Sequence, residues 1–376
     1  MTDARAASSA SRLAGSIIPG AGHLTAGRAA RGLTFLLPWL ACASVAVGAR
    51  HRIAAMPATG SLDDRIAVVT LGFLLVAIWV GAAFDLRSPP RVPGPGDSQW
   101  LIAARHFNRN RLAVAGSWLI LALYAAMLLA PLLSPWDPIA QANISQTTFL
   151  PPSGQHLFGT DRLGRDIFSR VLYGSRISLT IGFVATAISV TLGTLLGAMA
   201  GYAGGRVDSV IMRFTDLVLS FPRLVLLILI VALFDRSLLV LILVLGLTQW
   251  PTTTRIVRGD VLSLREREFV QAAIALGYRT PRILFRHVIP NVLAPVIVSA
   301  TLGIGNTIVL EAGLSFLGLG PPPPAPTWGG IVNDGGSSLI NAWWVATFPG
   351  LTIVLVVLAF NLVGDGLRDA LDPRLR

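Results

Sequence analysis

The sequence predicts an all-α membrane protein with about eight transmembrane helices. Of its 376 residues, 53% are hydrophobic and 13% are charged, and the mean hydropathy is +0.67. Soluble domains carry about 25% charged residues, so this composition is typical of a polytopic membrane protein. A helix needs about 20 apolar residues to cross the hydrocarbon core. Stretches of about that length fall near 32–49, 66–86, 112–133, 177–201, 209–233, 238–258, 291–316 and 345–364.

The predicted spans divide the chain into an N-terminal extension, residues 1–105, and a core, residues 106–376. The extension contains two spans and ends in a Pro/Gly-rich stretch, SPPRVPGPGD at 88–97, which is typical of a linker. The core contains the other six spans and all of the motifs that indicate function.

Arginine placement predicts the orientation in the membrane. Segment 87–111 contains five arginines against one acid, and segment 255–286 contains seven arginines, whereas segment 317–344 contains none. Cytoplasmic loops are enriched in basic residues, so we expect the first two segments inside, the third outside and both termini cytoplasmic. Segment 134–176 conflicts with this assignment, because it should be external but contains four arginines.

Composition also excludes several functions. All 30 basic residues are arginine, so the chain lacks the lysine of a Walker A loop, and any ATP hydrolysis must reside in another polypeptide. We interpret the net charge of +11 as loops facing anionic lipid, not as a nucleic-acid site. The single Cys42 and five scattered histidines lack the spacing of metal ligands. We therefore expect no catalytic residue, metal or bound cofactor.

The most informative segment is 266–290, EREFVQAAIALGYRTPRILFRHVIP. Its helix signals predict two short helices joined by a turn at Gly277, the first one after a Ser263–Glu266 capping box. Thr280 is expected to cap the second helix and Pro290 to end it. We interpret this arginine-rich pair as a docking element at the membrane surface. The alternative is an ordinary basic interfacial helix pair.

This segment resembles the cytoplasmic EAA loop of ABC-importer permeases, whose pattern is Glu-Ala-Ala, three residues, Gly, nine residues, then Ile-x-Leu-Pro. Ala272, Ala273, Gly277 and Pro290 match at that spacing, and Gln271 stands where the family usually has glutamate. The resemblance implies that these residues form or shape the contact with an ATPase subunit. The glutamine leaves the spacing intact but removes the usual carboxylate.

Four further stretches resemble signatures of the dipeptide/oligopeptide/nickel permease subfamily. They are GTDRLGRDIFSRVLYGSR at 159–176, DSVIMRFTDLVLSFP at 208–222, LSFLGLGPPPPAPTWG at 314–329 and FNLVGDGLRDALDPRLR at 360–376. Their order is that of the C-type subunit. The resemblance implies a six-helix, type I ABC-importer permease core, here preceded by a two-helix N-terminal hairpin that the family core lacks.

The resemblance also implies an assembly. The chain would be the transmembrane permease subunit of an ATP-driven importer in the bacterial plasma membrane, for di- or oligopeptides. It would pair with a second homologous permease, two ABC ATPases that use ATP and magnesium, and an extracytoplasmic solute-binding protein. Helix 264–276 would seat in an ATPase cleft, with Arg279 and Arg282 adding charge complementarity. Lipid is the remaining expected partner, and no nucleic acid is expected.

Other functions stay open at this point. The same architecture serves importers of nickel or other small solutes. A stand-alone secondary transporter would need broken helices or paired charges near the bilayer midplane, and no convincing set is evident. A membrane-embedded enzyme would need a motif such as HExxH or GxSxG, and neither occurs.

Charged residues in apolar stretches mark candidate functional positions. Glu311 is the candidate for a substrate role. Arg213 and Asp216, which are three residues apart, are expected to pair on one helix face.

A glycine repeat occupies one of the predicted core spans. Gly193, Gly197, Gly201 and Gly205 recur every four residues. Small residues at this spacing allow two helix backbones to approach closely. The repeat therefore predicts tight packing inside the subunit, the alternative being a subunit interface.

Overall fold

The structure is a computed structural model that describes residues 18–25, 29–59, 61–87, 99–141 and 144–372. Within these ranges every extended element is helical, and no strand occurs. Seven helices are long and apolar enough to cross a membrane, or up to eight if one bent pair counts as a span. The predicted all-α fold with about eight transmembrane helices is therefore confirmed.

Within the described ranges, twelve helices build the two units and the segment 266–290. They are α1 (Ala29–Gly48), α2 (Leu62–Arg87), α3 (Gln99–Arg109), α4 (Arg111–Leu128), α5 (Ile167–Ala203), α6 (Gly205–Ser220), α7 (Arg223–Leu233), α8 (Leu238–Arg265), α9 (Glu268–Ala275), α10 (Ile289–Phe316), α11 (Trp328–Gly336) and α12 (Trp344–Leu371). Shorter helices are Ala21–Thr25, Arg50–Thr59, Ala130–Leu133, Ile144–Thr147 and Thr280–Ile283.

Chain contacts divide the molecule into two compact units. The first contains the described part of residues 1–97 together with Ala125–Pro135, and the second contains the described parts of 98–124 and 136–376. In the first unit, α1 and α2 form the predicted hairpin, and an apolar cluster that includes Ala67 and Leu132 fills its interior. The core of the second unit lies among α5, α8, α10 and α12.

Within the first unit, one arginine of the hairpin binds backbone carbonyls that follow a short helix. The Arg52 guanidinium donates to the carbonyl oxygen of Ser134 at 2.6 Å and to that of Pro135 at 3.2 Å. Carbonyl groups at the end of a helical segment have no partner inside the helix. Arg52 therefore satisfies two carbonyls that directly follow Ala130–Leu133.

The glycine repeat packs α5 tightly against α8. A Cβ atom added at Gly193 would lie 2.8 Å from the Trp250 carbonyl oxygen, and one added at Gly197 would lie 2.6 Å from the Thr254 carbonyl oxygen. Gly201 is equally crowded, whereas Gly205 faces open space. For three of its four glycines, the predicted packing within the subunit is confirmed.

The span predicted at 209–233 is wrong as a continuous helix. α6 ends at Ser220, α7 begins at Arg223, and the two helices are bent by 87° relative to each other. Pro222 explains the break, because proline has no backbone N–H and disfavours helical geometry at the residue before it. Phe221 accordingly has an extended backbone, with φ −87° and ψ 136°.

Ion pairs join the bent helix to α8. Asp216 pairs with Arg255, and Asp208 pairs with Arg258. The expected pairing of Asp216 with Arg213 along one helix is therefore wrong. Arg255 on the neighbouring helix takes the place of Arg213 as the partner of Asp216, because α6 and α8 lie side by side.

Two arginines of segment 134–176 are buried in a four-charge network. Arg165 and Arg170 both pair with Asp161, at 2.7 and 2.6 Å, and both pair with Asp334 of α11 at 2.9 Å. The network contains two positive and two negative charges and is therefore neutral. Two of the four arginines that conflict with an external position of segment 134–176 are therefore neutralised by aspartates within the fold.

Candidate functional site

The segment 266–290 forms a helix–turn–helix, but its boundaries differ from the predicted ones. α8 continues to Arg265, so Ser263 lies in the last turn of α8 and the predicted capping box does not form. The first short helix is α9, preceded by Arg267 without a side-chain cap. Arg279 is the N-cap of the second helix, and Thr280 is its first residue. The prediction of Thr280 as the cap is therefore wrong by one position.

The second helix does not end at Pro290, which is a further correction. Thr280–Ile283 continues through a π-helical turn, Leu284–Val288, directly into α10. Pro290 is the second residue of α10 and directly follows the π-helical turn, so the helical run passes through it without ending. The second half of the element is therefore continuous with a transmembrane span.

The predicted turn at Gly277 is confirmed. Gly277 has a φ of +74°, a conformation that favours glycine. Its N–H donates to the Ile274 carbonyl at 2.9 Å, and the Tyr278 N–H donates to the Ala273 carbonyl at 3.1 Å. This pair of hydrogen bonds is the Schellman motif, which ends α9 and reverses the chain.

The turn is held in place by an aromatic contact. The Arg282 guanidinium lies 4.5 Å from the centre of the Tyr278 ring, and the His287 ring stacks on the same ring at 6.1 Å. A cation over an aromatic face is attracted by the electron density of the ring. Arg282 therefore makes a stabilising contact within the segment 266–290 itself.

The inner face of α9 belongs to the core of the permease. Val270 and Ala273 are buried in one apolar cluster with Val257 of α8 and Val292 of α10. Because a close-packed interior resists deformation, a displacement of α9 carries α8 and α10 with it.

The outer face of the element is exposed. Of the predicted docking residues, Gln271, Ala272, Gly277, Arg279, Arg282 and Pro290 are exposed, and Ala273 is buried. Four large apolar side chains that sequence reasoning missed are also exposed, namely Phe269, Ile274, Leu276 at 72% and Phe285 at 62%. The signal in the sequence that could have indicated this exposed apolar surface was the presence of apolar residues around a glycine turn in an arginine-rich segment.

Gln271 ties α9 to the end of α8. Its side-chain amide donates to the Arg265 carbonyl oxygen at 2.9 Å. A glutamate at this position would have no proton to donate when ionised. The glutamine that departs from the family pattern therefore makes a contact that the usual carboxylate cannot make.

A cavity of about 940 Å³ lies beside the docking element. Residues of α8, α10 and the end of α12 line it, together with Arg223 at the start of α7 and Arg267 just before α9. Its lining combines apolar side chains with amides, hydroxyls and charges of both signs. The cavity and the docking element thus share one wall.

Glu311 is not part of this cavity. Its side chain is fully buried and accepts hydrogen bonds from the Ser178 hydroxyl at 2.9 Å and the Ser315 hydroxyl at 2.7 Å. Among the described residues, no group of three or more His, Cys, Asp or Glu side chains is arranged to hold a metal.

Comparison with known proteins adds two family matches. Residues 98–152 match the N-terminal transmembrane domain of oligopeptide transport permease C. Residues 193–376 match the binding-protein-dependent transport system inner membrane component.

Several relatives resemble the chain over nearly their whole length. The dipeptide transport system permease protein DppC of Alkalihalophilus pseudofirmus is 44% identical over 300 residues, which cover 78% of this chain and 98% of the relative. The oligopeptide permease OppC of Bacillus subtilis is 40% identical over 299 residues, covering 78% and 96%. The glutathione transport system permease protein GsiD of Pectobacterium atrosepticum is 40% identical over 277 residues, covering 74% and 92%.

Among solved structures, a chain of the inward-facing MetNI methionine ABC transporter matches with a TM-score of 0.45 and 18% identity, over 54% of this chain and 96% of that chain. The sequence relatives are permease subunits of transport systems, and the nickel alternative is not favoured by them. The chain is a multi-pass inner-membrane protein that belongs to the ABC-importer permease family, in the C-type dipeptide/oligopeptide subfamily.

Proposed function

We propose that this permease imports di- or oligopeptides and is driven by ATPase subunits that dock on α9 and its Gly277 turn. The observation that carries the coupling is the two-sided nature of α9. Its inner side chains, Val270 and Ala273, are buried in the permease core, while Leu276 is 72% exposed on the outside. An element that is fixed on one side and exposed on the other can pass a partner's motion to the spans.

The assignment of peptides as the substrate is supported by the names of the relatives and by the volume of the cavity. The relatives at 40–44% identity are named as dipeptide, oligopeptide and glutathione permeases. A cavity of about 940 Å³ lies near the upper end of the range of about 300–1,000 Å³ that holds drug-sized ligands. Its mixture of amides, hydroxyls and apolar side chains suits a short peptide.

The working assembly contains a second homologous permease, two ABC ATPases and an extracytoplasmic solute-binding protein. The ATPases bind ATP and magnesium, and this chain binds no cofactor. ATP binding closes the ATPase pair and moves α9, and α8 and α10 follow because they share its core. The permease pair then changes the side to which its pathway opens, as a two-state element biased by its partners.

We also propose the arrangement of the chain in the membrane. Both termini and the docking element face the cytoplasm, and residues 1–105 form an extension to the permease domain at 106–376. Arginine-rich segments support this orientation. Burial of Arg165 and Arg170 with Asp161 and Asp334 supports it too, because segment 134–176 carries less free positive charge than its composition indicates.

Co-purification tests the docking step. The tagged chain, solubilised in detergent from its own cells, is expected to bring down a Walker-motif ATPase. Gly277→Pro should abolish recovery, because proline cannot adopt the φ of +74° found here. Leu276→Asp should also abolish it without altering the turn.

A matched control is Ile340→Asp, which makes the same change at a residue that is 97% exposed and remote in sequence from the docking element. This variant should recover the ATPase as well as the unaltered chain does. Absence of any ATPase with the unaltered chain would contradict the docking proposal. ATP-dependent uptake of nickel but not of dipeptides by the reconstituted complex would contradict the peptide assignment.

A further inference from the structure

Arg223 is a charged side chain in the cavity that the proposed coupling does not use. It is the first residue of α7, directly after the bend at Pro222. Its Nη2 donates to Gln249 Oε1 at 2.8 Å, and its Nε is buried without a hydrogen-bond partner. Among the described residues, Arg223 forms no ion pair with a carboxylate.

Arg223 lies at the end of the cavity away from the docking element. Arg267, next to α9, marks the near end, and Asp260 of α8 lies on the same side. Gln249, the partner of Arg223, precedes Asp260 by eleven residues, or about 16 Å along a helix that rises ~1.5 Å per residue. The cavity lining therefore extends along a path of about that length, from Asp260 to the Gln249–Arg223 pair.

Charge is distributed unevenly along this path. The near end contains Asp260 and Asp372 together with Arg267 and Arg368, so its formal charges cancel. At the far end, Arg223 is surrounded in the lining by neutral side chains only. A negative group that travels along the path would find its one uncompensated positive charge at Arg223.

The Arg223 side chain is held in a fixed position. Gln249 Oε1 accepts from Arg223 and also lies 2.8 Å from the Thr307 hydroxyl, which in turn lies 3.1 Å from the Thr186 hydroxyl. These contacts link α7, α8, α10 and α5. Because Gln249 accepts one N–H of Nη2 and Nε is buried, the remaining N–H groups of the two Nη atoms are available to a ligand.

We propose that Arg223, positioned by Gln249 and Thr307, binds the C-terminal carboxylate of the peptide in the translocation path. The planar guanidinium fork matches a carboxylate, and a carboxylate leaving water needs a compensating charge. Every linear peptide with a free C-terminus carries this group. The inference rests on the proposed peptide import and adds the chemical group that is recognised.

Uptake of a dipeptide and of its C-terminal amide tests this inference. The complete transporter is purified from its own cells through a tag on this chain and reconstituted in liposomes with its binding protein. Arg223→Gln should lower uptake of the free dipeptide about tenfold, the scale of one charge-assisted hydrogen bond, and leave uptake of the amide unchanged. The same solute-binding protein is used with every variant. Any preference that it has for one of the two peptides therefore does not affect the comparison between variants.

Arg213→Gln is the matched control, since Arg213 is exposed on α6 and does not line the cavity. This variant should transport both peptides as the unaltered complex does. Gln249→Glu provides a second test with little change in size. Its carboxylate would occupy the Arg223 fork, so uptake of the free dipeptide should again fall while uptake of the amide persists.

Two results would overturn the inference. One is an equal loss of both peptides in Arg223→Gln and Gln249→Glu, which would indicate a structural role. The other is no loss of either peptide, which would show that the carboxylate does not use Arg223. If the unaltered complex takes up neither peptide, the proposed function itself fails and this inference fails with it.

Discussion

At residue 271 this chain has a glutamine where related motifs usually have glutamate, and the side chain has a structural partner. The amide of Gln271 donates to the Arg265 carbonyl and so fastens α9 to α8. Other single residues were equally hard to interpret from sequence. Ala273 is part of the EAA-like motif but is buried, and Glu311 lies in a membrane span but is satisfied by two serines.

We predict that Gln271→Glu loosens the connection between α8 and α9. The carboxylate cannot donate to the Arg265 carbonyl, so about 0.5–1.5 kcal/mol of local stability is lost. Tryptic cleavage after Arg265 and Arg267 should become faster. Ala272→Glu is the control, because it adds the same charge one residue away and keeps the hydrogen bond. Equal acceleration in both variants would show that charge, not the bond, matters.

We also predict that Arg170→Met strongly destabilises the fold. The substitution leaves Asp161 and Asp334 with one buried guanidinium instead of two. Removing one partner from a buried ion-pair network costs about 3–5 kcal/mol. The midpoint of thermal unfolding in detergent should fall, whereas Arg162→Met, at an exposed arginine of the same segment, should leave it unchanged. A normal midpoint for Arg170→Met would refute this role.

At the scale of elements, two features of the second unit depend on how helices meet. The α5–α8 contact uses glycines as a flat surface, with Gly197 against the Thr254 carbonyl. The bent pair α6–α7 instead meets α8 through Arg255 and Arg258 at one end and through the Arg223–Gln249 hydrogen bond at the other. The bend thereby brings a charged residue to the cavity.

A pair of matched glycine substitutions tests the α5–α8 contact. Gly197→Ala should destabilise the protein, because its Cβ would lie 2.6 Å from the Thr254 carbonyl oxygen. Gly259→Ala, on α8, should leave stability unchanged or raise it by up to about 1 kcal/mol, because open space surrounds Gly259 and alanine favours helix. Thermal unfolding of the two variants in one detergent distinguishes them. Equal midpoints would contradict the packing role.

At the scale of the whole molecule, the proposed orientation places the docking element and the loop around Ile340 on opposite sides of the membrane. Both positions are highly exposed, Leu276 at 72% and Ile340 at 97%. They therefore serve as probes of topology. The division of the chain at 105 and 106 remains a prediction.

Single-cysteine labelling tests that orientation. In a Cys42→Ser background, Ile340→Cys should react with a membrane-impermeant maleimide in intact spheroplasts. Leu276→Cys should react only after the membrane is permeabilised. The opposite pattern would reverse the topology and place the docking element outside, which would also remove the basis for ATPase coupling.

The sequence by itself determined the all-α class, the approximate number of spans, the Gly277 turn and the family. These properties depend on local quantities, namely the length of an apolar stretch, the backbone freedom of glycine and the spacing of motif residues. The glycine repeat was similarly informative, because backbone approach requires small residues whichever partner helix supplies the contact.

Only the tertiary structure decided which side chains meet. Asp216 pairs with Arg255 and not with Arg213. α8 continues through the expected cap at Ser263 to Arg265, and Leu264 packs against the core. Pro290 was expected to stop a helix, but the helical run passes through it, from the π-helical turn Leu284–Val288 into α10. The partners of Arg223 and Glu311 come from distant parts of the chain. A pairing energy depends on distance in space, and spacing along the sequence does not specify it.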